Sequence, residues 1–379
     1  MPIGSDKGSF IKPGFDPLAA QTTETVFSLF SWGLNNRGNL GLGDTVDRSS
    51  PVQVGATNAW AQVSNGAASS LAVTPAGTLY AWGYGYAGAL GLGDTVNRSS
   101  PVQVGALTTW LNVEGGHYSN AAFKTDGTLW MFGYNNYGQL GQGNTTANSS
   151  PVQVGALTTW SKTASGNTST LALKTDGTLW SWGQSDQGQL GLGNTTSYSS
   201  PVQVGSLTTW SKIASGWRHS LAITTDGKLY AWGYNALGNL GLGNTTAYSS
   251  PVQVGALTTW LDVAAGRECS LAIKTDGTLW TWGYNAYGQL GQGNTTNYSS
   301  PVQVGALTTW LNVAGGRYHT LATTTDGKLY AWGYNDHGQL GQGDSGSSTY
   351  RSSPVQVGAL TGWSVLSSMT GSRESIVLF

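Results

Sequence analysis

Four histidines, one cysteine and a scatter of hydroxyls are the side chains of this chain best able to act as bases, metal ligands or nucleophiles. His117, His219, His319 and His337 stand at spacings that suggest no metal site. Cys269 is alone, which excludes an internal disulfide framework and leaves the redox compartment open. Serine and threonine abound as turn residues, but no Gly-x-Ser-x-Gly elbow presents one as a nucleophile. Gly288-Gln-Leu-Gly-Gln-Gly293 has the glycine density of a phosphate loop, yet it opens no helix, so the anion-binding dipole is missing. No enzyme and no cofactor is expected. Seventeen Lys and Arg against eighteen acids give a net charge of −1, so no broad basic field exists for nucleic acid or an anionic membrane. No apolar run approaches a membrane span, and the opening residues lack the apolar core of a secretory signal.

These residues are carried by one stretch of about fifty residues written seven times, the mark of an array of like supersecondary units. Its proline recurs at Pro51, Pro101, Pro151, Pro201, Pro251, Pro301 and Pro354, the last delayed by an insertion near Ser345 to Arg351. Each copy holds four strand candidates. Pro-Val-Gln-Val comes first, with the proline at its start, and the stretch opened by Trp60, Trp110, Trp160, Trp210, Trp260, Trp310 or Trp363 comes second. Ser-Leu-Ala-Ile-Lys-Thr and Thr-Leu-Trp-Thr-Trp-Gly follow. Asp-Gly between the last two, as at Asp276-Gly277, predicts a type I′ hairpin, and Pro75-Ala76-Gly77 predicts a different turn. Strands apolar on both faces belong to sheets packed between sheets, which makes the fold an all-β, seven-bladed propeller of four-stranded antiparallel blades. The chain enters the repeat just after the hairpin turn and ends just before it. One blade is therefore expected to form from both ends, Ile376–Phe379 pairing with residues 26–32.

The run Trp282-Gly-Tyr-Asn285-Ala-Tyr-Gly288-Gln-Leu-Gly291-Gln-Gly293, with Pro301-Val-Gln-Val behind it, resembles the regulator of chromosome condensation repeat family. The resemblance covers about residues 26–379 and implies a seven-bladed propeller whose function lies in loops on its faces. Members of that family include an exchange factor that also binds chromatin, a plant ultraviolet photoreceptor and a bacterial β-lactamase inhibitor, so the resemblance alone selects no function. Gly216-Trp217-Arg218-His219-Ser220 looks like a motif of the photoreceptor, but it occurs once, and every tryptophan except Trp217 sits at a repeating position.

The copies differ in three places: a triplet after the second strand, the segment after Trp-Gly (Leu34 to Arg37, Tyr334 to His337) and the pair before Ser-Ser-Pro (Asp47-Arg48, Ala247-Tyr248). The triplets form an unequal ring. Trp217, Arg218, His219, Arg267, Glu268, Arg317, Tyr318, His319, Arg373 and Glu374 make one arc, and the opposite arc reads as small and polar. Trp, Tyr and Arg dominate interface energetics, so this arc is the expected partner-binding face. Ahead of the propeller (residues 25–379), residues 1–24 read as an extended Gly/Pro-rich arm with apolar anchors at Phe10, Ile11, Phe15 and Leu18. Few charges, much Gly, Ser, Thr, Asn and Tyr, and near-identical copies without an export signal suggest a bacteriophage virion protein, made in the host cytoplasm. The arm would hold virion proteins and the variable face a host-surface ligand, with neither nucleic acid nor membrane insertion involved. The alternative is a bacterial protein-binding or inhibitory propeller, cytoplasmic or extracellular.

Overall fold

The computed structural model describes residues 27–56, 59–67, 69–366 and 371–379. The arm with Phe10, Ile11, Phe15 and Leu18 lies outside them. Seven antiparallel sheets of four strands are present, as the repeat predicts. In the fourth blade the order from the axis outward is Trp210–Ser215, His219–Thr224, Leu229–Gly233 and Tyr248–Gln253. Each Pro-Val-Gln segment is thus the outer edge of the blade before it. That strand starts at Tyr248, three residues ahead of Pro251, not at the proline. A register break between Ala231↔Val252 and Gly233↔Tyr248 leaves Pro251 unpaired, as a residue with no N–H requires. In the closing blade Leu29–Gly33 pairs with Glu374–Leu378, from Leu29↔Leu378 to Gly33↔Glu374. Phe30, Trp363 and Phe379 meet there edge to face, with centroids 5.1–6.0 Å apart.

Neighbouring blades are joined by one repeated device. The Trp282 indole N–H donates to the Asn239 carbonyl of the preceding blade at 2.8 Å, and Ser270 Oγ donates to the same oxygen at 2.7 Å. Trp232 with Ser220, on Gln189, and Trp332 with Thr320, on Gln289, repeat the pair. A Cβ on Gly241 would lie 2.7 Å from the Trp282 nitrogen, and its φ of +72° suits glycine, so the glycine before this motif's end has both a steric and a conformational reason. In the second blade the tryptophan is replaced by Phe132, which has no donor. There Asn120, in the place of Ser270, donates from Nδ2 to the Ala89 carbonyl at 2.6 Å, so that oxygen keeps one of its two bonds. The motif asparagine is structural too: Asn285 Oδ1 accepts from the Leu290 N–H, and its Nδ2 donates to the Asn294 and Thr296 carbonyls, closing the loop on itself.

The hairpin differs from the I′ expectation. Gly277 has φ +76°, but Asp276 does not adopt positive φ, Ala87 being the one described non-glycine residue that does. The Gly277 N–H donates to the Lys274 carbonyl, and the Lys274 N–H to the Thr278 carbonyl. This is a three-residue loop with glycine in the left-handed position. Asp276 instead accepts from the N–H and hydroxyl of Thr278. Pro75-Ala76-Gly77 makes the same turn, contrary to the expectation that it must differ, because Gly77 N–H reaches the Thr74 carbonyl and proline suits the position before Ala76. A coupled exchange also emerges across this hairpin. Lys124, Lys174 and Lys274 lie 3.6–3.7 Å over Trp130, Trp180 and Trp280. Where the ring is Tyr230 or Tyr330, threonine replaces that lysine, and Lys228 or Lys328 pairs with Asp226 or Asp326.

Candidate partner-binding face

The three variable segments gather on one face. The residue after Trp-Gly donates its N–H to the second triplet residue, as in Tyr234 to Arg218, Tyr284 to Glu268 and Tyr334 to Tyr318. Asp47, from the pair before Ser-Ser-Pro, accepts from His337 Nδ1 at 3.0 Å across the join of two blades.

Within each triplet the three positions have different destinations. First residues converge over the axis: His117 lies 5.3 Å from Trp217, two blades away, and the Arg267 guanidinium carbon lies 3.3 Å from the Trp217 ring centroid. Their backbones are tied blade to blade by Trp217 N–H to Arg267 O, Arg267 N–H to Gly316 O and Arg317 N–H to Ser372 O. Second residues, among them exposed Arg218 and half-buried Glu268, Tyr318 and Arg373, stand around that centre. Third residues turn inward, because the second strand has begun and alternation points them between blades. His219, His319 and Glu374 are 1%, 0% and 0% exposed, so none of the three offers a contact to a partner, and they leave the expected face. Cys269 occupies the same buried position.

These inward groups hold the blades together. His219 Nε2 meets Ser270 Oγ at 2.9 Å, and His319 Nε2 meets Ser375 Oγ at 3.0 Å. Burial lowers the two imidazoles to about 4 and about 3. Burial pushes the Glu374 carboxyl up to about 8, against the Ser372 and Asn39 side chains and the Arg373 N–H, which favour its charged form. The signs are opposite in consequence. Neutral buried histidines lose stability as pH falls below the ordinary imidazole value, whereas Glu374 favours the fold at low pH and loses that contribution as pH rises from 4.5 to about 8. Glu374→Gln is therefore expected to raise the unfolding midpoint over wild type at pH 8 far more than at pH 4.5. An equal offset at both pH values in thermal unfolding would show that Glu374 is not held neutral.

The arc opposite Trp217 is not small and polar. His117 packs on Tyr118 at 4.1 Å, and Tyr118 joins Tyr84 and Tyr86, with Arg37 over Tyr84 at 4.7 Å. On the other side Arg267 Nη1 donates to Tyr318 Oη at 2.9 Å, and Tyr318 continues into Tyr284, Tyr287, Tyr334 and Tyr350 at 4.9–6.0 Å between successive rings. An aromatic band with arginine at its centre therefore crosses the whole face. The signal was the tyrosine recurring directly after Trp-Gly, which reads as loop variation until the blades close into a ring. Burial, then Arg317 and Arg267, lower His117 to about 4, so the centre carries its charge on arginine alone. Among the described residues no group of three or more His, Cys, Asp or Glu could hold a metal, and no helix is long and apolar enough to cross a membrane.

The description of the "Regulator of chromosome condensation (RCC1) repeat" matches residues 28–73, 76–123, 126–173, 176–223, 226–273, 276–323 and 326–378. Among solved structures the chain is similar to human WBSCR16, at 20% identity over 93% of this chain and 99% of that one, with a TM-score of 0.83. It is also similar to yeast RCC1 (Prp20) bound to Kap60, at 20% identity, 93% and 88% coverage and a TM-score of 0.81. Prp20p from Saccharomyces cerevisiae, described with its binding to Gsp1p and histones, gives 20%, 93% and 91%, and 0.82. No curated protein sequence matches the chain. At such identity the structures speak for the fold, while the seven matched segments speak for descent: the chain belongs to the regulator of chromosome condensation repeat family.

Proposed function

We propose that this propeller is a non-enzymatic protein-binding platform whose contact surface is the face crossed by the aromatic–arginine band. The band carries the reading, because Trp, Tyr and Arg on loops held by rigid sheets are the composition and mounting of interface hot spots. One similar propeller, yeast Prp20, is described with protein partners, Kap60 in one structure and Gsp1p and histones with another, which supports the class of partner and not its identity. The test is a pull-down with immobilised full chain, wild type against Tyr318→Ala. Partner retained by the wild type and lost by the folded variant is expected. Equal retention would move the contact surface elsewhere.

More finely, we place the chain in a bacteriophage particle, attached through residues 1–24 with Phe10, Ile11, Phe15 and Leu18 as anchors and presenting the face to a host-surface ligand. Support comes from the sparse charge, the Gly-, Ser-, Thr- and Tyr-rich composition and the near-identical copies. Ordering such an arm costs roughly 1–2 kcal/mol per backbone residue, so a partner must bury most of its apolar anchors. Deleting residues 1–22 should leave the propeller folded and no longer co-sedimenting with particles. Continued co-sedimentation of the truncated chain would sink the anchor. Finding the intact chain free of any particle would favour the bacterial inhibitory or protein-binding reading.

A further inference from the structure

Resting on that reading of the face, we infer that its axial mouth is an oxyanion recess in which Arg267, Arg317 and Arg373 take a carboxylate from an acidic segment of the partner. The three arginines come from consecutive blades, Arg267 and Arg317 over the axis with Arg373 beside them, and both neighbours repel the Arg267 charge, on a chain whose net charge is only −1. Like charges brought together in a half-buried site repel, and a protein keeps them there only with compensation. Inside the described structure it is mostly aromatic, with Arg267 over the Trp217 ring at 3.3 Å and Arg317 over the Tyr318 ring at 5.4 Å. Arg267 has Glu268 at 4.0 Å and Tyr318 Oη at 2.9 Å. Among the described residues Arg317 and Arg373 have no acid within ion-pairing distance, and their guanidiniums make no hydrogen bond to the protein. The Nε atoms of all three are enclosed and make no hydrogen bond. Glu374, directly beside Arg373 in sequence, is turned away between the blades. The nearby Asp336 is engaged with Tyr334 and Tyr350.

The donor set calls for an oxyanion held by side chains. The backbone N–H groups of Trp217, Arg267 and Arg317 are all spent on the neighbouring blade, so none of these three is left to hold an anion. What remains is planar guanidinium forks, which take carboxylate and phosphate alike in bidentate fashion, so the choice of a carboxylate rests on the peptide shelf beside them. Around them the tyrosines supply a shelf for the rest of an extended segment, whose apolar and amide parts suit aromatic faces.

The experiment is calorimetric titration of the full chain with a short end-blocked peptide alternating glutamate and alanine, with its glutamine counterpart and with inorganic phosphate. The glutamate peptide is expected to bind and to weaken as salt rises, while the glutamine peptide binds at least about tenfold more weakly. The Arg317→Gln/Arg373→Gln double variant should lose a similar factor at an unfolding midpoint no lower than that of the wild type, since neither side chain hydrogen-bonds the described structure and their removal relieves repulsion. Equal binding of the two peptides, or of peptide to wild type and double variant, overturns the recess. Phosphate displacing the peptide at equal concentration overturns the carboxylate assignment. A partner lost by Tyr318→Ala but kept by the double variant would sink the recess and leave the platform standing.

Discussion

Removing residues 371–379 is expected to leave the chain aggregated, or folded with a stability several kcal/mol lower. The deletion takes out the strand Glu374–Leu378, which lies between Leu29–Gly33 and Val365–Leu366 in the closing blade. Ile376, Val377 and Leu378 are all fully buried, and they serve two different cores. Val377 packs with Leu321, Leu329 and Trp363 toward the sixth blade, while Ile376 and Leu378 pack with Trp60 and Trp82 toward the first. Each such side chain is worth about 2–5 kcal/mol in a packed core, and the loss also strands His319 without Ser375. An opened ring exposes unpaired strand edges as well, which is a route to aggregation. Size-exclusion chromatography and thermal unfolding of the truncation decide the point. A monomeric truncation with the wild-type midpoint would mean that the termini do not close the ring.

The second large effect separates framework from face. Trp282→Ala should cost about 3–5 kcal/mol, because the indole is fully buried between Leu229, Leu240, Val254 and Trp260 and leaves a cavity that two sheets cannot both collapse into. Trp282→Phe should cost far less, about 1–2 kcal/mol, since Phe132 fills the equivalent place and Ser270 still satisfies the Asn239 carbonyl. Trp217→Ala, which removes a half-buried ring stacked under Arg267, should cost about 1 kcal/mol and act on partner binding instead. Denaturant unfolding of the three variants gives the comparison. Equal losses at Trp282 and Trp217 would mean that Trp217 is framework and the face has been misplaced.

How much of this was legible beforehand follows from what each signal measures. The spacing of the prolines and of Asp-Gly reports the number of strands, which survives in the structure, including the blade shared by Leu29–Gly33 and Glu374–Leu378, but not the start of the outer strand, which lies three residues ahead of the proline. The dihedrals inside a turn are not in the spacing. Asp276 precedes glycine in either hairpin type, and only the carbonyl of Lys274 decides between them. The face was legible by its variation but not by its depth. One residue along the triplet turns a side chain from solvent to interior, which removes His219, His319 and Glu374 from the face. Conversely, Tyr118 and Tyr287, more than a hundred and fifty residues apart, share one band only because the ring closes.

The backbone bonds that tie Trp217, Arg267 and Arg317 to their neighbours have a consequence for how such a surface changes over time. The main chain around the mouth is set by amide groups that every amino acid except proline carries. Side chains there can be rewritten one blade at a time without renegotiating the fold. The rim then behaves as a seven-letter word on a fixed page: point mutations spell new specificities, and blade shuffling transposes letters already in use. A combinatorial library randomised at the first two triplet positions should accordingly keep most of its members folded while ranging widely in what they bind.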